Sequence, residues 1–258
     1  MKLLVVGSGT MGRWFGRAVA DVVESVAFVD QDVSVAQSAA DSMGDHATVV
    51  ADPNNLEENS FTVVCVAVPM PVVTETISTY APAAESAILD VTGVMGPAID
   101  AMNTYSTNTE RASLHPLFAP SNEPGTVAVV PDEPGPVVEQ LLEAIESRGN
   151  DLFETTPTEH DAAMESVQAR AHAALLSYAL ATEELPEAFH TPVSRRLTAA
   201  VADVTGDNSR VYGDIQEVFD GAEDVAEAAR RLADADRAEF EQLYAEASAR
   251  KPEVPGNE

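Results

Sequence analysis

The chain of 258 residues has one cysteine, Cys65, so it cannot close an internal disulfide or build a cysteine-rich zinc site. Lysine is almost missing. Lys2 and Lys251 are the only two, and arginine supplies the rest of the 14 basic residues. No apolar run approaches the ~20 residues that a membrane-spanning helix needs. The opening MKLLVVGSGTMG reaches glycine too early for a signal peptide. These absences lead to the expectation of a soluble, cytoplasmic protein with no membrane contact and no metal site. Hydrophobic residues make up 45% of the chain, enough for a buried core in one large domain or two modest ones.

Charge of one sign dominates. Against the 14 basic residues stand 43 acidic ones, a formal net charge of −29. Such a field repels phosphate backbones, so nucleic acid is not an expected partner. The acidity is spread along the chain instead of being gathered in a tail. A dispersed acidic surface with little lysine suits high salt, where self-repulsion is screened, and points to a halophilic source.

Short β-branched runs alternate with helical stretches through residue 154. Strands are expected at 3–6, 26–29, 48–50, 62–67, 87–90, 125–130 and 151–154, and helices at 10–22, 33–42, 72–80 and 136–148. Continuous apolar strands between helices predict a Rossmann-type, doubly wound parallel sheet with both faces covered. After Pro157 the pattern is helical only: 158–181, 192–204, 209–219 and 222–249, with apolar residues spaced by three or four. The expected division is a nucleotide-binding domain over 1–156, an all-α second domain over 157–250, and a loose tail over 251–258.

Gly7-Ser8-Gly9-Thr10-Met11-Gly12 follows the first strand and opens the first helix. The glycines allow a tight turn, a close approach of backbone to pyrophosphate, and close helix–strand packing, while the helix start offers free N–H groups. Asp30 ends the second strand about 20 residues on, where a carboxylate suits the ribose hydroxyls and repels a 2′-phosphate. The expected cofactor is therefore NAD. Val68 and Pro69, after the fourth strand, are expected to edge it, as is Thr92 after the fifth.

Of five histidines, His115 lies in Ser-Leu-His-Pro-Leu-Phe-Ala-Pro, with a strand before it and two prolines behind. A histidine held that way can accept a hydroxyl proton as hydride leaves, though a structural loop histidine would look the same. His115-Pro116-Leu117-Phe118-Ala119-Pro120 resembles the His-Pro-Met-Phe-Gly-Pro motif of the prephenate/arogenate dehydrogenase family. Asp90-Val91-Thr92-Gly93-Val94 resembles that family's segment after the fifth strand. Glu159-His160-Asp161, Val167-Gln168 and His172 resemble the stretch that opens its helical domain. Gly206-Asp207-Asn208 and Val211-Tyr212-Gly213-Asp214-Ile215-Gln216 resemble a late motif of archaeal members. The matches run in order from residue 3 to about 220.

The resemblance implies an archaeal-type prephenate dehydrogenase of tyrosine biosynthesis: oxidation of the ring carbinol of prephenate by NAD, loss of CO₂, and formation of 4-hydroxyphenylpyruvate. His115 would take the hydroxyl proton and Thr92, His115, His172 and Arg196 would meet the substrate, while His160 would serve the start of its own helix. A homodimer through the helical domain is also implied, and neither a fused mutase nor a regulatory domain is expected. Two departures touch the substrate. Gly93-Val94-Met95 stands where the family often has Ser-Val-Lys, and Asp203 stands where it tends to have a substrate-binding arginine. Arg196 is two helical turns before Asp203 on the same face, with Arg195 and Arg210 as alternatives. An arogenate-specific member therefore stays open. So does a different Rossmann oxidoreductase of the hydroxyacid or pyrroline-carboxylate type, although the lack of lysine between 2 and 251 speaks against the hydroxyacid version. A dinucleotide-sensing protein without chemistry is the non-enzyme alternative.

Overall fold

A computed structural model describes residues 1–50, 52, 56–183, 186–206 and 209–250. It has two compact units, Met1–Met164 and Glu165–Glu258. The expected boundary after 156 marks the end of the sheet, whereas the first unit runs on through one further helix. The tail at 251–258 and Asp207 and Asn208 of the late motif lie outside the described residues.

The first unit runs β1 (Lys2–Val6), α1 (Thr10–Ala18), β2 (Ser25–Val29), α2 (Val33–Asp41), β3 (Ala47–Val49), β4 (Phe61–Val66), α3 (Val73–Tyr80) and β5 (Ala84–Asp90). It continues with α4 (Gly96–Tyr105), β6 (Glu110–Pro116), β7 (Thr126–Glu133), α5 (Pro136–Ser147), β8 (Asp151–Glu154) and α6 (Pro157–Met164). The strands form one sheet in the order β3-β2-β1-β4-β5-β6-β7-β8. Leu3, Leu4, Val5 and Val6 of β1 are all buried, because alternate side chains meet helices on opposite faces of the sheet. Each such side chain contributes about 1.5–3 kcal/mol by leaving water.

The sequence predicts a parallel sheet, but one strand departs from it. β7 runs antiparallel to β6, with His115 opposite Ala128. The cause is the connection: residues 117–125 form a loop with no crossover helix, and a parallel return needs one. The helix expected over 10–22 ends at Ala18, and Ala20–Val22 form a 3₁₀ turn.

The second unit is helical. A wide, π-type turn at Glu165–Arg170 leads into α7 (Ala171–Ala181), followed by α8 (Pro192–Thr205), α9 (Ser209–Val218), α10 (Gly221–Asp234) and α11 (Arg237–Ala249). The helix expected over 158–181 is thus α6, the wide turn and α7. Gly221 opens α10 against that turn, where a Cβ would stand 2.6 Å from Ala169 Cβ and Arg170 N. Arg170 ties the same place together through Glu165 and Asp224 at 2.7 and 2.6 Å. The helix expected over 222–249 breaks at Ala235. Asp236 caps α11 in a reciprocal box with Glu239, which competes with helix continuation.

Candidate active site

The carboxyl ends of β1, β2, β4, β5 and β6 share one edge of the sheet, where ligands of such sheets bind. Gly7 turns the chain out of β1 at φ +92°. A Cβ there would lie 2.3 Å from the carbonyl oxygen of Ala67, so the turn is pressed onto the end of β4 next to Val68. Gly12 faces back into the same turn, and a Cβ would come within 2.0 Å of Gly7 O. Gly9 differs: nothing lies within 4 Å of its would-be Cβ, so backbone there opens onto free space. Thr10 and Met11 begin α1 with their N–H groups toward that opening.

Asp30 is tied to this turn. Its Oδ2 accepts from Ser8 N at 2.8 Å and its Oδ1 from Asp32 N at 3.0 Å. The buried Ser8 hydroxyl donates to Val29 O. Arg13 donates to Ser8 O and Val35 O, linking the glycine turn to the start of α2. A cavity of about 520 Å³ opens beside Gly9 and Thr10 and is walled by Arg13, Arg17 and Arg148. Arg148 is spent on a bidentate pair with Glu123. Arg13 and Arg17 are committed only to uncharged oxygens among the described residues. A free helix start, an open glycine, a strand-end carboxylate and two such arginines fit a dinucleotide with its pyrophosphate at Gly9–Met11.

His115 is the penultimate residue of β6 and stands at the same edge. The loop behind it is anchored by Phe118, whose ring meets Trp14 of α1 edge-on at 5.7 Å. His115 Nδ1 lies 2.9 Å from His160 Nε2. His160 Nδ1 lies 2.8 Å from Asp161 Oδ1. Asp161 also accepts from Met95 N at 3.0 Å and Gly96 N at 2.9 Å. Burial first, and the neighbouring His160 second, lower the His115 pKa to about 3, so the ring is neutral near pH 7. Burial pushes the Asp161 carboxyl up, but the hydrogen bonds from His160, Met95 and Gly96 outweigh it and hold the acid below its usual range. The far nitrogen of His115, Nε2, looks toward Gly93, whose would-be Cβ stands 3.7 Å away.

His160 corrects the sequence reading. It does not serve the start of α6; it is 3% exposed and joins His115 to Asp161. Sequence reasoning missed this pair as functional residues, although Glu159-His160-Asp161 had been singled out as a motif. Thr92 is buried and turned inward. Its N–H and hydroxyl lie 3.0 and 2.5 Å from Asp90 Oδ2, so the hydroxyl is not free for a ligand. In the second unit, His172 is half-buried with its ring 4.8 Å from that of Tyr212. Its Nδ1 has no hydrogen-bond partner among the described residues, and burial lowers its pKa. Arg196 and Asp203 are both exposed on α8. Among the described residues no three His, Cys, Asp or Glu side chains gather as a metal would require, and no helix is long and apolar enough to cross a membrane.

The geometry defines a Rossmann-type nucleotide-binding unit with a histidine pair at the ligand edge of its sheet, followed by a helical region. That fold is the fold of prephenate dehydrogenases. The prephenate dehydrogenase of A. aeolicus, in complex with hydroxyphenyl propionate and NAD+, superimposes with a TM-score of 0.71 at 15% identity, covering 97% of this chain and 92% of that one. The arogenate dehydrogenase of Synechocystis gives 0.57 at 15% identity, over 96% and 98% of the two chains. In sequence, the chain is 30% identical over 192 residues to the 4-amino-4-deoxyprephenate dehydrogenase of Streptomyces pristinaespiralis, 71% of this chain. It spans 63% of the length of that curated relative. No protein-family profile matches the chain. The relative gives a likeness in sequence over part of its length, and the solved structures give the fold.

Proposed function

We propose that this protein is an NAD-dependent prephenate dehydrogenase. The observation that carries the reading is His115 at the carboxyl edge of β6, with its outer nitrogen toward Gly93, on the same edge as the glycine turn of β1. Bound NAD would supply the hydride acceptor. Gly9, Thr10 and Met11 would hold its pyrophosphate, Asp30 its adenosine ribose, and Val68 and Pro69 would line the way between, with Gly7 and Gly12 shaping the turn and Ser8 tying it to Asp30.

His115 Nε2 then takes the proton from the ring hydroxyl as the O–H bond breaks and the carbinol carbon gives up hydride. Loss of the ring carboxylate as CO₂ leaves its electron pair in the ring, which becomes aromatic. The phenolic oxygen takes the proton back from His115, so the overall reaction neither releases nor consumes one. A neutral His115 is the competent form, and its lowered pKa keeps it so across the physiological range.

His172 and Arg196 are the residues we propose for the substrate carboxylates, from the helical domain over 157–250. Exposed Leu180, Phe189, Val193 and Phe240 in that region support a homodimer. The charge of −29 supports an enzyme working in high salt, and the likeness of the Val211–Gln216 segment to archaeal members supports the archaeal type.

The test is absorbance at 340 nm with NAD and prephenate in molar KCl, with arogenate, 4-amino-4-deoxyprephenate and NADP as parallel arms. Turnover with prephenate and NAD that His115→Gln reduces by about 10²–10⁴ bears the reading out. Turnover with another ring substrate alone keeps the mechanism and changes the specificity. Bound NADH without turnover in any arm overturns the enzymatic reading and leaves a dinucleotide-binding protein.

A further inference from the structure

We infer that His160 and Asp161 are positioning residues that hold His115 in the tautomer whose Nε2 is bare, and that they share the positive charge His115 gains when it takes a proton. The inference deepens the proposed function and rests on it for the identity of the reaction, but the tautomer can be read without turnover.

The argument starts at Asp161. Three donors converge on its two oxygens: the amides of Met95 and Gly96 and the Nδ1 of His160. The amides can only donate, so the carboxylate is fixed as an acceptor. His160 must then carry its proton on Nδ1. A neutral imidazole with Nδ1–H has a lone pair on Nε2, and that atom faces His115 Nδ1 at 2.9 Å. His115 Nδ1 is therefore the donor of that bond. In the neutral ring Nε2 is left unprotonated, on the side that faces Gly93. Each link settles the next, and the last atom settled is the one the reaction needs.

The groups facing His115 and His160 are few. Asp161 and His160 come from α6. Asp90, buried at the end of β5, lies near enough for the charge of His160 to act on it, and its register partner on β6 is Ser113. When Nε2 of His115 is protonated, its Nδ1–H can strengthen its bond to His160, and His160 in turn its bond to Asp161. No bond beyond these need break, because the proton returns to the product oxygen. Burial of His160 keeps water from competing for the inner bond.

Asp161→Asn tests the chain of acceptors. An asparagine has one acceptor oxygen for three donors, so at least one donor must turn away or His160 must invert. His160→Gln offers an amide oxygen to His115 Nδ1 but cannot carry charge, and His160→Leu of similar volume offers neither. The expected order of kcat is wild type above His160→Gln above His160→Leu. Asp161→Asn is expected to lose about a hundredfold or more, and KM for NAD to move less than twofold.

The direct readout is the ¹⁵N spectrum of the histidine side chains, with His115 assigned by its loss in His115→Gln. The expected wild-type spectrum shows His115 protonated on Nδ1 and bare on Nε2, and Asp161→Asn shifts it toward the other tautomer. A purely structural pair would leave that tautomer unmoved in folded variants. Wild type with Nε2 protonated, or equal kcat for His160→Gln and His160→Leu, overturns the inference. A wild type with the expected tautomer but no turnover on any ring substrate refutes the proposed function instead, and leaves the lock standing.

Discussion

Asp90 offers a stability test that needs no substrate. Its carboxyl is fully buried at the end of β5, with Thr92 N–H and hydroxyl on Oδ2 and Ser113 across the strand pair. Burial raises its pKa to about 6 from 3.8, and the hydrogen bonds from Thr92 limit the rise. The folded state therefore holds a proton that the unfolded chain gives up. Stability from this group is full below about pH 3.8 and is lost as pH climbs through about 6. A shift of about 2 pKa units corresponds to about 3 kcal/mol, roughly half of it arising between pH 5 and pH 7.5. Asp90→Asn removes the titration. Its oxygen still accepts from Thr92. Urea unfolding of both proteins at pH 5 and 7.5, at one fixed high salt concentration, isolates the effect. The variant should gain about 1.4 kcal/mol on the wild type between the two pH values, whatever constant offset separates them. A constant difference would refute the reasoning, because it would mean that Asp90 is not paying a burial cost for its charge.

Three further outcomes follow from the same geometry. Gly12→Ala places a methyl 2.0 Å from Gly7 O, so titration with NADH should show cofactor binding lost or weakened at least tenfold, even if circular dichroism reports a folded chain. Asp30→Ala removes the ribose carboxylate that Ser8 N and Asp32 N orient. The NAD-to-NADP ratio of kcat/KM should fall about tenfold or more, and an unchanged ratio would place the ribose elsewhere. With a net charge of −29, stability and activity should hold or rise from 0.2 to 2 M KCl, and a thermal midpoint that falls over that range would remove the high-salt reading.

The sheet was legible because its strands are continuous apolar runs, and Gly7–Gly12 with Asp30 gave the nucleotide edge. What escaped was set by long-range contacts. The antiparallel turn of β7 depends on a loop length, which apolar patterning does not report. The break between α10 and α11 was written in Asp236 and Glu239, a local capping signal that the apolar stripe across it concealed. His160 escaped for another reason. Beside Glu159 and Asp161, at a helix start, it reads as a capping residue. Its partner His115 is 45 residues away and meets it only because α6 folds back over the start of α4, where Asp161 accepts from Met95 and Gly96.

That contact also bears on the missing serine and lysine at Gly93 and Met95. Met95 is fully buried, and its backbone amide, not its side chain, is what the site uses. Gly93 faces His115 Nε2, and even a Cβ there would stand 3.1 Å from Met70 Sδ and 3.7 Å from that nitrogen, so the position is tight. A hydroxyl at Gly93 could have oriented the histidine from the substrate side. Here the orientation comes from behind, through His160 and Asp161. The same edge carries Arg13 and Arg17 beside the glycine turn in a chain that has only 14 basic residues. In a strongly negative protein, an anionic cofactor meets favourable charge only where cations are concentrated, and both arginines wall the cavity that opens beside Gly9 and Thr10, where the helix start of α1 favours phosphate.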